Sequence, residues 1–121
     1  INNKEVFKIW GTGKPLREFL FVNDLSDAIN FIITNDIEND LINIGSGEEI
    51  SINELAIKIS KTLNFSGELI FDDSKPDGNP RKLLDSTLIN SLGWKSKTSL
   101  DEGLNQTYEW FINNFDNIKK D

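Results

Sequence analysis

Two stretches of this chain carry the residue types best suited to hold a small anionic ligand. In the first, Trp10 and Arg17 flank Gly11-Thr12-Gly13-Lys14-Pro15. An indole offers a flat face for a base or sugar, and a guanidinium offers a planar fork that pairs with phosphate. A strand, a glycine loop and a returning strand could bring the two to one rim. A core tryptophan and a surface arginine is the plainer reading, and on physical grounds alone it prevails. The second stretch runs from Ser74 through Lys75, Pro76, Asp77, Gly78, Asn79, Pro80 and Arg81 to Lys82. Its prolines restrict the backbone, so its charges could be held in place to clamp a diphosphate and a ribose. An ordinary charged surface loop accounts for the same residues.

Two further motifs invite chemistry and support it less well. Gly45-Ser46-Gly47 falls between an apolar run and a helix signal, as a phosphate loop would. The third glycine of G-x-G-x-x-G is replaced by Ile50, and Ser51 lies four positions beyond Gly47. A structural turn is therefore the preferred reading. Asp72 and Asp73 are adjacent carboxylates, but neighbours in extended chain point to opposite faces and would not converge on one atom.

Composition removes several function classes. The 121 residues include no cysteine and no histidine. A zinc-thiolate site, a disulfide scaffold and an imidazole base are excluded. The net charge of -7 disfavours nucleic acid, which needs a basic stripe. No apolar run approaches the roughly 20 residues of a membrane span, and no secretory signal opens the chain. No membrane partner is expected.

The elements that would position these residues follow from periodicity. Residues 4–10 (KEVFKIW) and 17–22 (REFLFV) read as strands. Asn23 or Asp24 is expected to cap a helix whose apolar face is Leu25, Ala28, Ile29, Ile32 and Ile33. Residues 35–40 read as a polar loop and 41–44 (LINI) as a short strand. Ser51 and Glu54 form a capping box, with Ile50 and Leu55 placed as a hydrophobic staple. That helix should bury Ile52, Leu55, Ala56, Ile59 and Leu63. Residues 67–71 read as another strand, followed by a polar loop. Asp85 is expected to cap a helix ending at Leu92 before Gly93. Ser99 and Glu102 form a second capping box, opening a helix that should bury Leu100, Leu104, Tyr108, Phe111, Ile112 and Phe115. Alternating strands and helices indicate an α/β or α+β chain with too few elements for a complete doubly wound sheet.

Three segments carry a family resemblance. WGTGKPLREFLFVNDLSDAI, LINIGSGEEISINELAIKI and LGWKSKTSLDEGLNQTYEWF resemble successive parts of extended short-chain dehydrogenase/reductases that act on nucleotide sugars. Trp10 and the loop FDDSKPDGNPRKLLD are similar to GDP-L-fucose synthases in particular. The resemblance implies a C-terminal substrate-binding portion, residues 1–121, of a homodimeric two-domain enzyme of the cytoplasm. Residues 41–44 would belong to the edge of a Rossmann sheet in an N-terminal domain, which would bind NADP. The family converts GDP-4-keto-6-deoxymannose to GDP-L-fucose by two epimerisations and an NADPH-dependent ketone reduction. Carried over, Arg17 and Lys82 would neutralise the diphosphate of the GDP-sugar, Asp77 would accept from ribose hydroxyls and Trp10 would supply a wall. The family's dinucleotide glycine motif, its Ser-Tyr-Lys reduction set and its epimerising Cys and His match nothing here. The one tyrosine, Tyr108, lies on the apolar face of the last helix. This chain alone is therefore expected to be inactive. Another nucleotide-sugar epimerase or dehydratase, or a non-catalytic binding remnant, are the competing readings. Apolar surface is expected to stand open around residues 41–44 and along the helix from Leu25.

Overall fold

The computed structural model describes residues 5–39 and 41–118. Lys4 and Asp40, expected in the first strand and the first polar loop, lie outside them. The elements are β1 (Val6–Trp10), β2 (Leu16–Glu18), α1 (Val22–Thr34), β3 (Glu49–Ser51), α2 (Ile52–Thr62), β4 (Glu68–Asp72), β5 (Arg81–Lys82), α3 (Thr87–Ser91) and α4 (Leu100–Ile118). The chain is a mixed α/β structure, as expected.

Its strand pairing differs from the expected one. β1 and β2 do not return on each other as a hairpin. β1 pairs in parallel with β4, in register from Val6 opposite Glu68 to Trp10 opposite Asp72. β2 is the middle strand of a second sheet, antiparallel to β3 and parallel to β5. The physical reason lies in the connecting loop. Pro15 has no N–H to give a hairpin ladder, and the Gly11 N–H is donated to the Asp72 carbonyl instead, at 2.9 Å. β3 and β5 have three and two residues, too short for a periodic signal, and exist because β2 offers them main-chain partners.

Residues 41–44, expected as a strand, join no ladder among the described residues. They run extended, and Ile42 and Ile44 pack against a core of Ala28, Ile89 and Trp94. Leu41 is exposed, as are Leu25, Ile29 and Ile33 of α1, in line with the open apolar surface expected there.

The helices begin largely where expected. Ser51 caps α2 with Glu54 in a reciprocal capping box. The apolar face of α2 lies across a concavity of about 260 Å³ from Phe7 and Ile9 of β1, so Ile59 and Leu63 remain partly exposed. Ser86 holds the N-cap position of α3 without a side-chain cap bond, while the Asp85 carboxylate accepts from the first-turn Thr87 N–H. α4 has Glu102 N–H donating to the Ser99 hydroxyl and keeps Leu100, Leu104 and Tyr108 half-buried, while Phe111, Ile112 and Phe115 face outward more than expected.

One cap is a clear correction. α1 starts at Val22 behind an extended Phe21 with no side-chain cap. Neither Asn23 nor Asp24 plays that part. Asp24 is 7 % exposed, and its carboxylate accepts from the Lys97 and Thr98 N–H groups and from the Thr98 hydroxyl. Burial pushes its carboxyl up, but the Thr98 bonds, the Lys97 N–H and the Lys97 charge together hold it below the usual aspartate range. Three residues later, Asp27 accepts from Trp94 Nε1 and pairs with Lys97. The two acids tie α1 to the segment that leads into α4.

Candidate functional site

The second sheet sorts its charges by face. Residues paired across neighbouring strands share a face, and successive residues alternate. Leu16, Glu18, Glu49 and Arg81 therefore lie on one side, and Arg17, Ile50 and Lys82 on the other. On the first side every charge has a partner. Arg81 makes a two-pronged pair with Glu49, at 2.7 and 2.6 Å. That pairing holds the Glu49 carboxyl below its ordinary range and raises the Arg81 guanidinium. Glu18 accepts from the Gly47 N–H at 2.6 Å and from the Leu84 N–H at 3.1 Å.

On the opposite side Arg17 and Lys82 are register neighbours, and among the described residues neither enters an ion pair. Arg17 donates to its own neighbour's carbonyl, Leu16 O, at 2.6 Å. Two adjacent cations repel each other, and an anion between them would relieve that repulsion. The sequence named both residues; it did not reveal that a parallel two-residue ladder makes them neighbours.

The other two candidates stand along a pair of loops. Residues 11–15 and 73–80 run side by side. They are joined by Gly11 N–H to Asp72 O, by Thr12 to Asp77, and by Leu16 N–H to Pro80 O. Asp77 accepts from the Thr12 N–H at 2.6 Å and the Thr12 hydroxyl at 2.8 Å. The Thr12 N–H first, then its hydroxyl, hold the Asp77 carboxyl below the usual range. Trp10 closes β1 and is 73 % exposed, with the Lys75 ammonium 5.7 Å from its ring centroid. The plainer reading of a core tryptophan does not hold; the buried indole is Trp94, at 3 %. No hydrogen bond, ion pair or ring contact joins Trp10 directly to Arg17 among the described residues. The zippered loops link them.

Two contributors escaped the sequence reading. Thr12 lies in what the sequence marks only as a glycine loop, although a hydroxyl between two glycines is a natural partner for a loop carboxylate. Glu18 lies in the predicted 17–22 strand, where alternation turns it to the face opposite Arg17.

The Gly45-Ser46-Gly47 turn is structural. Gly47 adopts φ +78°, and its N–H faces the Glu18 carboxylate, which would repel a phosphate. Asp72 and Asp73 do not converge: Asp72 accepts from the Ser74 N–H and hydroxyl. Among the described residues no cluster of three His, Cys, Asp or Glu is placed to hold a metal, and no helix is long and apolar enough to cross a membrane. The polar concavity beside Glu49, Glu54 and Lys58 contains none of the four candidate residues.

Comparison with known proteins bears on the family. Residues 1–45 match the model of the NAD dependent epimerase/dehydratase family. The chain is 52 % identical to a GDP-L-fucose synthase of Sinorhizobium fredii over 106 residues, which are 88 % of this chain and 34 % of that protein. It is 49 % identical to GDP-L-fucose synthase 1 of Arabidopsis thaliana over 94 % of this chain and 35 % of that protein. A GDP-L-fucose synthetase of Naegleria fowleri, solved with NADP bound, superposes with a TM-score of 0.83 at 28 % identity, covering 92 % of this chain and 36 % of that one. The chain thus spans about a third of the length of the curated relatives it matches. In the Gly45-Ser46-Gly47 turn the Gly47 N–H that a phosphate would need is already bound by Glu18.

Proposed function

We propose that this chain, a partial segment of the GDP-L-fucose synthase family by its 49 % and 52 % identity to members of it, supplies the sugar-nucleotide-binding portion of an NADP-dependent enzyme that makes GDP-L-fucose from GDP-4-keto-6-deoxymannose. On this reading NADP supplies hydride and is bound by residues outside the chain. The chain's own residues bind and orient. Arg17 and Lys82 neutralise the diphosphate from one sheet face. Trp10 walls the ligand at the far end of the zippered loops, and Asp77 borders it between them. With no Cys or His in the sequence and a single Tyr half-buried on α4, the proton-transfer groups also come from elsewhere.

The observation that carries this reading is the Arg17–Lys82 pair, two cations in register with no acid among the ladder residues that share their face. Bonds from an ionised donor to phosphate are worth about 1.5–3 kcal/mol. In the full-length protein, Arg17→Ala and Lys82→Ala should therefore each weaken GDP binding by roughly 10- to 100-fold. GMP, which lacks the second phosphate, should be affected unequally by the two changes. Calorimetric titration with both nucleotides is the test, and GDP affinities equal to the parent's in both variants would sink it. The isolated chain should oxidise no NADPH in the presence of the keto-sugar.

A further inference from the structure

The resemblance assigns Asp77 to the ribose. The structure gives its carboxylate another partner. Both oxygens accept from Thr12, one from the N–H and one from the hydroxyl. A β-carbon added at Gly11 would run into Asp77 Oδ1, and Gly11 already sits at φ +89°. The glycine thus serves two needs at once: a left-handed backbone and an approach close enough for Asp77 to reach Thr12. The same contact fixes residues on either side. Lys75, two residues before Asp77, lies over Trp10. Pro80, three residues after it, accepts from the Leu16 N–H, next to Arg17, and leads directly into the strand carrying Lys82.

We propose that Asp77 is a positioning residue that acts through Thr12, clamping the 73–80 loop to the 11–15 loop so that Trp10, Arg17 and Lys82 present one surface to the nucleotide. This rests on the reading above that these residues bind a GDP-sugar. A free loop of this length would have to be ordered when ligand binds, and the clamp removes that cost beforehand. An ionised acceptor with two donors from one residue is a stronger fastening than a neutral contact.

The experiment is a double-mutant cycle on GDP affinity in the full-length protein, using Thr12→Val, Thr12→Ser, Asp77→Asn and the Thr12→Val/Asp77→Asn pair. The clamp predicts that Thr12→Val and Asp77→Asn each lose about 3- to 10-fold and that the pair loses no more than the worse single. Thr12→Ser, which keeps the hydroxyl, should restore parental affinity, a rescue that a general loss of stability would not produce. Gly11→Ala provides a second route to the same break, since it drives Asp77 off Thr12 without touching a ligand-facing atom. Its loss should not add to that of Asp77→Asn. Thermal unfolding of each variant identifies any that fails to fold, and Thr12→Ser against Thr12→Val then decides alone. If Thr12→Val binds GDP like the parent while Asp77→Asn does not, or if the two losses add, Asp77 contacts the ligand directly and the clamp is wrong. If Arg17→Ala leaves GDP binding intact, it is the binding surface itself that is misassigned.

Discussion

Two regions of this chain use the same residue types to opposite ends. In the first, Asp24 and Asp27 of α1 meet the segment 94–98. Asp24 is buried, its donors are main-chain N–H groups and a hydroxyl, and the tryptophan bound by Asp27, Trp94, is inside. In the second, Arg17 and Lys82 share an open face, and the tryptophan at the end of the paired loops, Trp10, stands in solvent. A buried carboxylate must be saturated by its own protein, since an unpaired one would cost several kcal/mol. A cation at a ligand rim must be left unsaturated, since a carboxylate neighbour would compete with the phosphate. Arg81 and Lys82 show the same contrast one residue apart. Arg81 is neutralised by Glu49 on one face, and Lys82 on the other enters no ion pair among the described residues.

The comparison predicts that damage to the first region shows as lost stability and damage to the second as lost affinity. The largest effect belongs to Trp94→Ala. Removing an indole that is 3 % exposed and orphaning the Asp27 contact should cost about 3–5 kcal/mol, as large-to-small core changes do. Thermal unfolding of the full-length variant measures it, and an unchanged midpoint would show that the core lies elsewhere.

Asp24→Ala comes next. It leaves the Lys97 and Thr98 N–H groups without their acceptor and should cost about 2–3 kcal/mol. Asp24→Asn keeps an acceptor oxygen and should cost less. The pH dependence separates charge from shape. The folded Asp24 carboxyl titrates below its ordinary value, so its contribution is fully present above the unfolded value of about 3.9. It is lost as pH falls through the folded value, because the unfolded chain then binds the proton more readily. The stability gap between parent and Asp24→Asn should be constant above about pH 5 and close on further acidification. A gap that widened with acid would contradict the assignment. Exchange of the Lys97 and Thr98 amides gives the local readout.

The sequence made the local signals legible and left the long-range ones hidden. The Ser51–Glu54 capping box, the stop at Gly93 and the apolar face of α2 follow from residues a few positions apart, and all appear in the structure. The β1–β4 pairing joins residues more than sixty positions apart, such as Val6 and Glu68. Nothing in either strand's composition distinguishes it from a hairpin. β3 and β5 carry no periodic pattern, and β5 is what makes Lys82 a neighbour of Arg17. At the candidate site, therefore, residue types indicate which cations to consider, while register makes them neighbours. Asp24 misled for a related reason. An acid in the first turn of a helix is commonly a cap, and only the distant 97–98 segment reveals it as a tether.

Trp10 gives the smallest expected effect and the sharpest contrast, because the same substitution at Trp94 gives the largest. Trp10 is 73 % exposed, so Trp10→Ala removes little buried surface and should leave the unfolding midpoint within the range of ordinary surface changes, about 0.5 kcal/mol. Its Lys75 contact is an exposed cation–π pair, worth about 0.5–1 kcal/mol, and the ammonium can return to solvent when the ring is gone. If the ring walls the nucleotide, GDP affinity should fall by about 3- to 10-fold, the scale of a single stacking contact. Trp10→Phe keeps a flat face and should fall less. Calorimetry and thermal unfolding on the same two variants decide the matter. A destabilised Trp10→Ala would mean that the indole packs against protein rather than ligand. A stable variant with parental affinity would remove Trp10 from the site and leave the Arg17–Lys82 face as its whole extent on this chain.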